Sequence, residues 1–192
     1  MISLKAYLDA GVLVAYGLGT DDPHYAKAKS VINDITQGKY RGVVSILSLL
    51  ETMDVIRKRI TNRTPKTVLD RKPEPERKRY VSQESEKRYK ELIEDLTGAA
   101  KAKKMLLIGF DGVDVGKVLA ECNDLLVRNF GEIKPYDMCW QCRNRYEHYE
   151  YKGIGPIDAM HFDLAKRISC NLFITTDKGF SSLDGEMAVS VI

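Results

Sequence analysis

Two acidic residues in this 192-residue chain directly follow short apolar runs. Residues 5–8 and 172–174 are rich in apolar and β-favouring residues, which predicts two strands. Asp9 follows the first strand and Asp177 lies just past the second. In open α/β sheets, ligands collect beyond the carboxyl ends of the strands. The pattern therefore predicts that these two carboxylates can meet at one edge of a sheet.

Two further acids occupy positions that ask for an explanation. Asp158 lies in the first turn of a predicted helix, with Gly155 as its cap and Pro156 at its first position. A carboxylate there faces unpaired backbone N–H groups and the positive end of the helix dipole. Glu51 interrupts an otherwise apolar helical row, where a carboxylate needs a cation, a donor or a functional reason.

Grouped together, these four carboxylates would repel one another unless a cation neutralised them. Mg²⁺ and Mn²⁺ prefer oxygen ligands, and a bound ion of this kind supports hydrolysis of phosphodiester bonds. Each acid also has a structural interpretation: a turn or cap for Asp9 and Asp177, a dipole partner for Asp158, an ion pair for Glu51. The coincidence of all four favours a metal site.

Four ordered segments resemble the signatures of the PIN-domain family, which includes the toxin ribonucleases of toxin–antitoxin pairs. The segments are residues 7–16, Val43-Val44-Ser45 leading to Glu51, Asp158-Ala159-Met160-His161, and residues 174–180. The resemblance implies a metal-dependent endoribonuclease with an acidic quartet of Asp9, Glu51, Asp158 and Asp177. It also implies that Thr175 supports the last acid and that Mg²⁺ or Mn²⁺ is the cofactor. His161, one turn after Asp158, is expected to pack or to hydrogen-bond an acid rather than to react.

One departure from the family pattern keeps a second hypothesis open. Ala10 and Gly11 follow the first acid, where the family usually has polar side chains that steady its carboxylate. The chain could therefore be a catalytically weak PIN-like module that binds RNA or assembles with a protein partner.

The order of predicted elements indicates an α/β fold, a PIN-like sandwich with a central, mostly parallel sheet flanked by helices. We expect one domain over residues 1–192, with a basic helical insertion at about 61–104 and an aromatic and basic loop at about 131–155. Within the first insertion, residues 61–81 carry three prolines and predict an irregular segment, and a helix follows from Ser82 to Lys104. Asp22 and Pro23 predict the start of an earlier helix.

The charge is unevenly distributed along the chain. Residues 57–104 contain 16 Lys and Arg against 8 Asp and Glu, whereas the rest has 14 against 19. A basic segment beside an acidic body suits a polyanion such as RNA, although a solvated, salt-bridged helix would have the same composition. The candidate RNA-binding residues of this segment are Arg57, Lys58, Arg59, Arg77, Lys78 and Arg79.

The second insertion interleaves aromatic and basic residues. Trp140, Arg143 and Arg145 could stack bases and hold phosphates, or the segment could pack onto the core or form a subunit interface. Cys139 and Cys142 make half of a zinc site, without the spacing of a ribbon or finger.

No apolar run in the sequence approaches membrane-spanning length, and the N-terminus lacks a signal-peptide pattern. We therefore expect a cytoplasmic protein without membrane contact. The expected partner is RNA, and a second copy of the chain or an antitoxin-type protein are open alternatives.

Overall fold

The computed structural model describes residues 4–109, 121 and 154–192, together with the backbone of 132–135 and 149–152. Five parallel strands form the main sheet in the order β3-β2-β1-β6-β7. The strands of this sheet are β1 (Lys5–Leu8), β2 (Arg41–Ser45), β3 (Met105–Ile108), β6 (Leu172–Thr175) and β7 (Ala188–Val191). A separate antiparallel pair joins β4 (Glu132–Pro135) and β5 (Tyr149–Lys152).

Helices connect the strands of the main sheet. They are α1 (Ala10–Leu18), α2 (Tyr25–Thr36), α3 (Ile46–Arg63), α4 (Lys66–Leu69), α5 (Glu74–Lys101) and α6 (Pro156–Arg167), with 3₁₀ turns at Gly19–Asp21 and Lys178–Leu183. No helix in the described part of the chain is long and apolar enough to cross a membrane.

Both faces of the sheet are covered, because successive residues of each strand point to opposite sides. Ala6, Leu8 and Ile174 pack on one side, in a cluster that also contains residues of α1, α2 and α5. Tyr7 and Phe173 pack on the other side with residues of α6. The predicted fold class, an α/β sandwich with a central parallel sheet flanked by helices, is confirmed by this arrangement.

The prediction of an irregular segment over residues 61–81 is wrong. Helix α3 continues to Arg63, and α5 begins at Glu74, eight residues before the predicted start at Ser82. Pro75 lies in the first turn of α5, where a backbone N–H would have no partner within the helix, so that its absence costs nothing. Pro73 and Pro75 therefore mark the beginning of a 28-residue helix, and Pro65 directly precedes the short helix α4.

Two smaller expectations also need correction. Helix α2 begins at Tyr25 and not at Pro23, because the Asp22 side chain accepts the backbone N–H of His24 ahead of the helix. Part of the segment 131–155, predicted as irregular, pairs as β4 and β5. Between β3 and β4, residue 121 is described and is helical.

Candidate metal centre

A cavity of about 190 Å³ opens at the edge where the main-sheet strands end. Asp9 follows β1, Asp177 follows β6, and Glu51 lies in the second turn of α3, which begins directly after β2. Asp158, from the first turn of α6, completes the set. The structure therefore brings all four predicted acids to the lining of one cavity.

The Asp9 carboxylate is held by the neighbouring strand. Asp9 is only 6% exposed and stands directly before α1, yet its side chain makes no capping hydrogen bond to that helix. Instead, the Thr175 hydroxyl donates to Oδ2 of Asp9 at 2.8 Å. The same hydroxyl accepts the backbone N–H of Asp177 at 3.0 Å. Thr175, predicted as a support residue, thus contacts two of the four acids.

The other carboxylates are also fixed through one oxygen each. Oδ2 of Asp158 accepts the backbone N–H of Gly155 at 2.6 Å, in the predicted cap of α6. Oδ1 of Asp177 accepts the backbone N–H of Gly179 at 2.7 Å. These bonds fix the directions of the two side chains, so that each keeps its place on the cavity wall.

Glu51 is positioned by a buried histidine. Nε2 of His161 donates to Oε2 of Glu51 at 3.0 Å, as a carboxylate can only accept. The imidazole is fully buried, whereas the Glu51 side chain is 36% exposed. The expectation that His161 bonds an acid is confirmed, and its partner explains how a carboxylate is tolerated in an apolar helical row.

A chain of hydrogen bonds leads from the His161 imidazole into the core. Nδ1 of His161 accepts from the Tyr7 hydroxyl at 2.8 Å, and that hydroxyl lies 2.7 Å from Oγ of Ser45. Burial raises the pKa of Tyr7, which keeps its hydroxyl protonated as a donor. The chain from Ser45 through Tyr7 to His161 therefore fixes the imidazole tautomer that faces Glu51.

Burial, with smaller contributions from mutual repulsion, raises the pKa of two of the acids. Burial raises the pKa of Asp9, whereas His161 and the Thr175 hydrogen bond oppose this rise and the Glu51 carboxylate adds a little to it. Burial also raises the pKa of Asp158, with further increases from the charges of Asp9, Asp177 and Glu51. Such a group of close carboxylates is electrostatically unfavourable without a cation.

Carboxylate oxygens are the ligands that Mg²⁺ and Mn²⁺ prefer, so the donor chemistry of the cavity fits the expected cofactor. Within the described residues, no three His, Cys, Asp or Glu side chains surround a common point at metal-binding distances. The four acids line one cavity, each held to its wall by a protein donor, rather than converging on one point.

The space beside Asp9 explains why Gly11 follows in this chain. A Cβ atom at position 11 would lie 2.1 Å from Oγ1 of Thr176 and 3.7 Å from Oδ2 of Asp9. The Thr176 hydroxyl thus occupies the space of a side chain at position 11. The polar group expected after the first acid is absent from the helix, but a hydroxyl from the β6 end lies in its place.

Three polar residues of the cavity were not predicted as site residues. Asp22, His24 and Thr176 all line it, and Asp22 was taken for a helix cap. Asp22 accepts the N–H of His24 and also pairs with Arg59, 37 residues away. The dipeptide Asp22-Pro23 resembles an ordinary helix start, and no local pattern signals the distant arginine.

The predicted RNA-binding residues separate into different places. Arg57, Lys58, Arg77 and Lys78 line a groove of about 510 Å³ between α3 and α5. Arg59 lies in the acidic cavity instead, because it continues the helix face of Glu51 and Val55. Arg79 is exposed and lines neither site. Trp140, Arg143, Arg145, Cys139 and Cys142 lie outside the described residues.

Comparison with known proteins places few limits on this chain. No protein-family model matches it, and no curated protein sequence matches it. Among solved structures, it is similar to VapC20 (Rv2549c) of Mycobacterium tuberculosis, a toxin that cleaves the sarcin-ricin loop. The two chains share 14% identity over 93% of this chain and 94% of VapC20, with a TM-score of 0.49.

Proposed function

We propose that the protein is a PIN-like endoribonuclease that requires Mg²⁺ or Mn²⁺. The observation that carries the proposal is the lining of one cavity, at the carboxyl edge of a parallel sheet, by Asp9, Glu51, Asp158 and Asp177. The ordered PIN-like segments of the sequence support the same conclusion. RNA is the proposed substrate, because helix α3 contributes residues both to the acidic cavity and to a groove lined by basic side chains.

Asp9, Glu51, Asp158 and Asp177 would hold the cation and orient an attacking water. When bound, Mg²⁺ or Mn²⁺ would polarise the phosphate and lower the pKa of that water. Thr175 would keep Asp9 and Asp177 in register, and His161 would keep Glu51 turned toward the cavity. The groove would bind RNA backbone phosphates other than the reacting one, through Arg57, Lys58, Arg77 and Lys78.

The test is cleavage of single-stranded and hairpin RNA oligonucleotides with Mn²⁺, with Mg²⁺ and with EDTA. Wild-type protein should cleave only with a divalent cation, and Asp9→Asn should lower the rate by about 100-fold or more. A matched control is Asp34→Asn, which removes an acid that pairs with Lys39 outside the cavity. Equal cleavage by wild type and Asp9→Asn would reject the assignment.

The second candidate is a PIN-like module that binds RNA without cleaving it. The groove between α3 and α5 favours it, because Arg57, Lys58, Arg77 and Lys78 lie there outside the acidic cavity. RNA binding that persists in EDTA, weakens in Arg77→Gln and is accompanied by no cleavage would support this candidate over the enzyme.

A more specific proposal is that the protein is a toxin with an antitoxin as its protein partner. This proposal rests on the sequence resemblance alone. Expression of the wild-type chain should then arrest growth, whereas expression of Asp9→Asn should not. Relief of the arrest by a co-expressed neighbouring gene would identify the partner.

A further inference from the structure

One positively charged side chain, that of Arg59, lies in the lining of the acidic cavity. Arg59 is the one Lys or Arg among the described residues that line it, together with Asp9, Glu51, Asp158 and Asp177. It lies two helical turns after Glu51 on α3, so both side chains project from the same face of the helix. A phosphodiester bound in this cavity would therefore share it with this guanidinium.

A buried acid fixes the position of Arg59. The Asp22 side chain is 2% exposed, and its Oδ2 lies 2.5 Å from Nη1 of Arg59. Its other oxygen accepts the backbone N–H of His24 at 2.9 Å. Asp22 therefore has both oxygens engaged and cannot swing away from the guanidinium without losing a backbone hydrogen bond.

The remaining donors of Arg59 are available to a ligand. A guanidinium has five N–H donors, and the structure gives this one a single hydrogen-bond partner through Nη1 among the described residues. The Arg59 side chain is also 43% exposed. Its planar group matches two phosphate oxygens, which a lysine cannot match in the same way.

Stability alone is a weak reason for such a pair. Placing a carboxylate in a buried position costs solvation, and replacing a buried ion pair by apolar residues is often neutral or stabilising. A pair that holds a half-exposed arginine in the lining of an acidic cavity is better explained by what the arginine binds.

We propose that Arg59, held by Asp22, binds the non-bridging oxygens of the scissile phosphate. This inference rests on the proposed function, and it separates Arg59 from the groove residues Arg57 and Lys58. Arg59 would contact the reacting group and stabilise the negative charge that develops on it, whereas Asp22 is a positioning residue that acts through Arg59.

The experiment compares Arg59→Gln, Arg59→Lys, Asp22→Asn and the double variant Asp22→Asn/Arg59→Gln in RNA cleavage with Mn²⁺. Arg59→Gln should lower kcat by about 100-fold while KM changes by less than about threefold. Arg59→Lys should recover only part of the rate, because it restores the charge without the planar pair of donors. Arg57→Gln should instead raise KM.

The double variant separates a substrate contact from a purely structural pair. It leaves no unpaired charge in the fold, so it should unfold at the wild-type temperature, yet cleave no faster than Arg59→Gln alone. Double-variant cleavage at the wild-type rate would overturn the inference, because Arg59 would then only neutralise Asp22. Lys39→Gln, which breaks the exposed Lys39–Asp34 pair, is the control and should cleave normally.

A binding measurement keeps this inference separate from the proposed function. Fluorescent trinucleotide RNA, titrated with Ca²⁺ present, should bind Arg59→Gln about tenfold more weakly than wild type. If wild type binds in this way but never cleaves, the ribonuclease assignment fails and the phosphate contact stands. Unchanged binding and unchanged cleavage in Arg59→Gln would overturn the contact itself.

Discussion

Nε2 of His161 lies 3.0 Å from Oε2 of Glu51, across 110 residues of sequence, and joins helix α6 to helix α3 at the cavity wall. The imidazole carries this contact back to Tyr7 in the central strand β1. In metal sites, a hydrogen bond from a neighbouring side chain to a ligand orients that ligand and raises its affinity for the ion. The acidic cavity is therefore supported from the core of the protein, and not only by the local turns that present each acid.

Replacing His161 should weaken metal binding as well as stability. His161→Ala leaves the Glu51 carboxylate without its donor, and we expect Mn²⁺ affinity to fall by about 10-fold or more. The free energy of unfolding should fall by about 2–4 kcal/mol, because a buried polar network is broken. Calorimetric titration with Mn²⁺ and urea unfolding measure the two effects.

Thr52→Val is the matched control for this prediction. Thr52 is buried next to Glu51 in α3, and its hydroxyl donates to the Ser48 carbonyl at 2.6 Å. Its loss should cost stability but leave Mn²⁺ affinity unchanged. A His161→Ala protein that is less stable yet binds Mn²⁺ as tightly as wild type would assign His161 to packing alone.

Asp9→Asn should stabilise the protein in the absence of metal while it removes activity. The Asn side-chain oxygen can still accept from Thr175, and the substitution removes a buried charge that interacts unfavourably with the Glu51 and Asp158 carboxylates. We expect the melting temperature in EDTA to rise by about 2–4 °C, which corresponds to roughly 1 kcal/mol at this chain length. Differential scanning calorimetry measures the change, and a lower melting temperature would contradict it.

The raised pKa values of Asp9 and Asp158 predict an unusual dependence of stability on pH. The folded state binds protons more tightly than the unfolded state at these two groups. Their favourable contribution to the free energy of unfolding is therefore fully present below the ordinary carboxyl pKa. It is lost as pH rises through the raised pKa values. Urea unfolding in EDTA at several pH values from about 4 to about 7 should show a smaller decline in stability for Asp9→Asn than for wild type.

Metal binding should follow the opposite course over the same pH range. Protonated acids cannot hold a cation, so Mn²⁺ affinity and cleavage should both rise as Asp9 and Asp158 lose their protons. Titration of wild-type protein with Mn²⁺ across that range checks this. Affinity that is already constant from about pH 4 upward would contradict this expectation.

The close approach of Thr176 to Gly11 predicts a pair of compensating substitutions. Gly11→Ala places a Cβ atom 2.1 Å from Oγ1 of Thr176, so one of them must move, at an expected cost of about 1–3 kcal/mol. Thr176→Ala removes that oxygen, and the double variant should regain most of the lost stability, helped by the better helix propensity of alanine.

Urea unfolding of the two single variants and the double variant gives the coupling energy directly. If Gly11→Ala alone is as stable as wild type, the Thr176 hydroxyl moves without cost and Gly11 is not required. RNA cleavage by Thr176→Ala, measured in parallel, reports whether the hydroxyl beside Asp9 also serves the reaction.

The sequence by itself determined the parts of the site that depend on neighbouring residues. Strands β1 and β6 and the position of Asp9 and Asp177 after them follow from short apolar runs, because such runs pair as buried strands. Gly155, Pro156 and Asp158 mark the start of α6 for a local reason as well, since each satisfies the backbone at a helix N-terminus.

Only the tertiary structure decided which distant residues meet these acids. The pairing of Glu51 with His161 and of Asp22 with Arg59 depends on how α3 lies against α6 and against the segment before α2. The orientation of α3 also places Arg59 in the cavity and Arg57 in the groove, although only Lys58 separates the two in the sequence. The local sequence pattern determines where a strand or helix begins and ends. Contacts across 37 or 110 residues arise instead from packing between these elements.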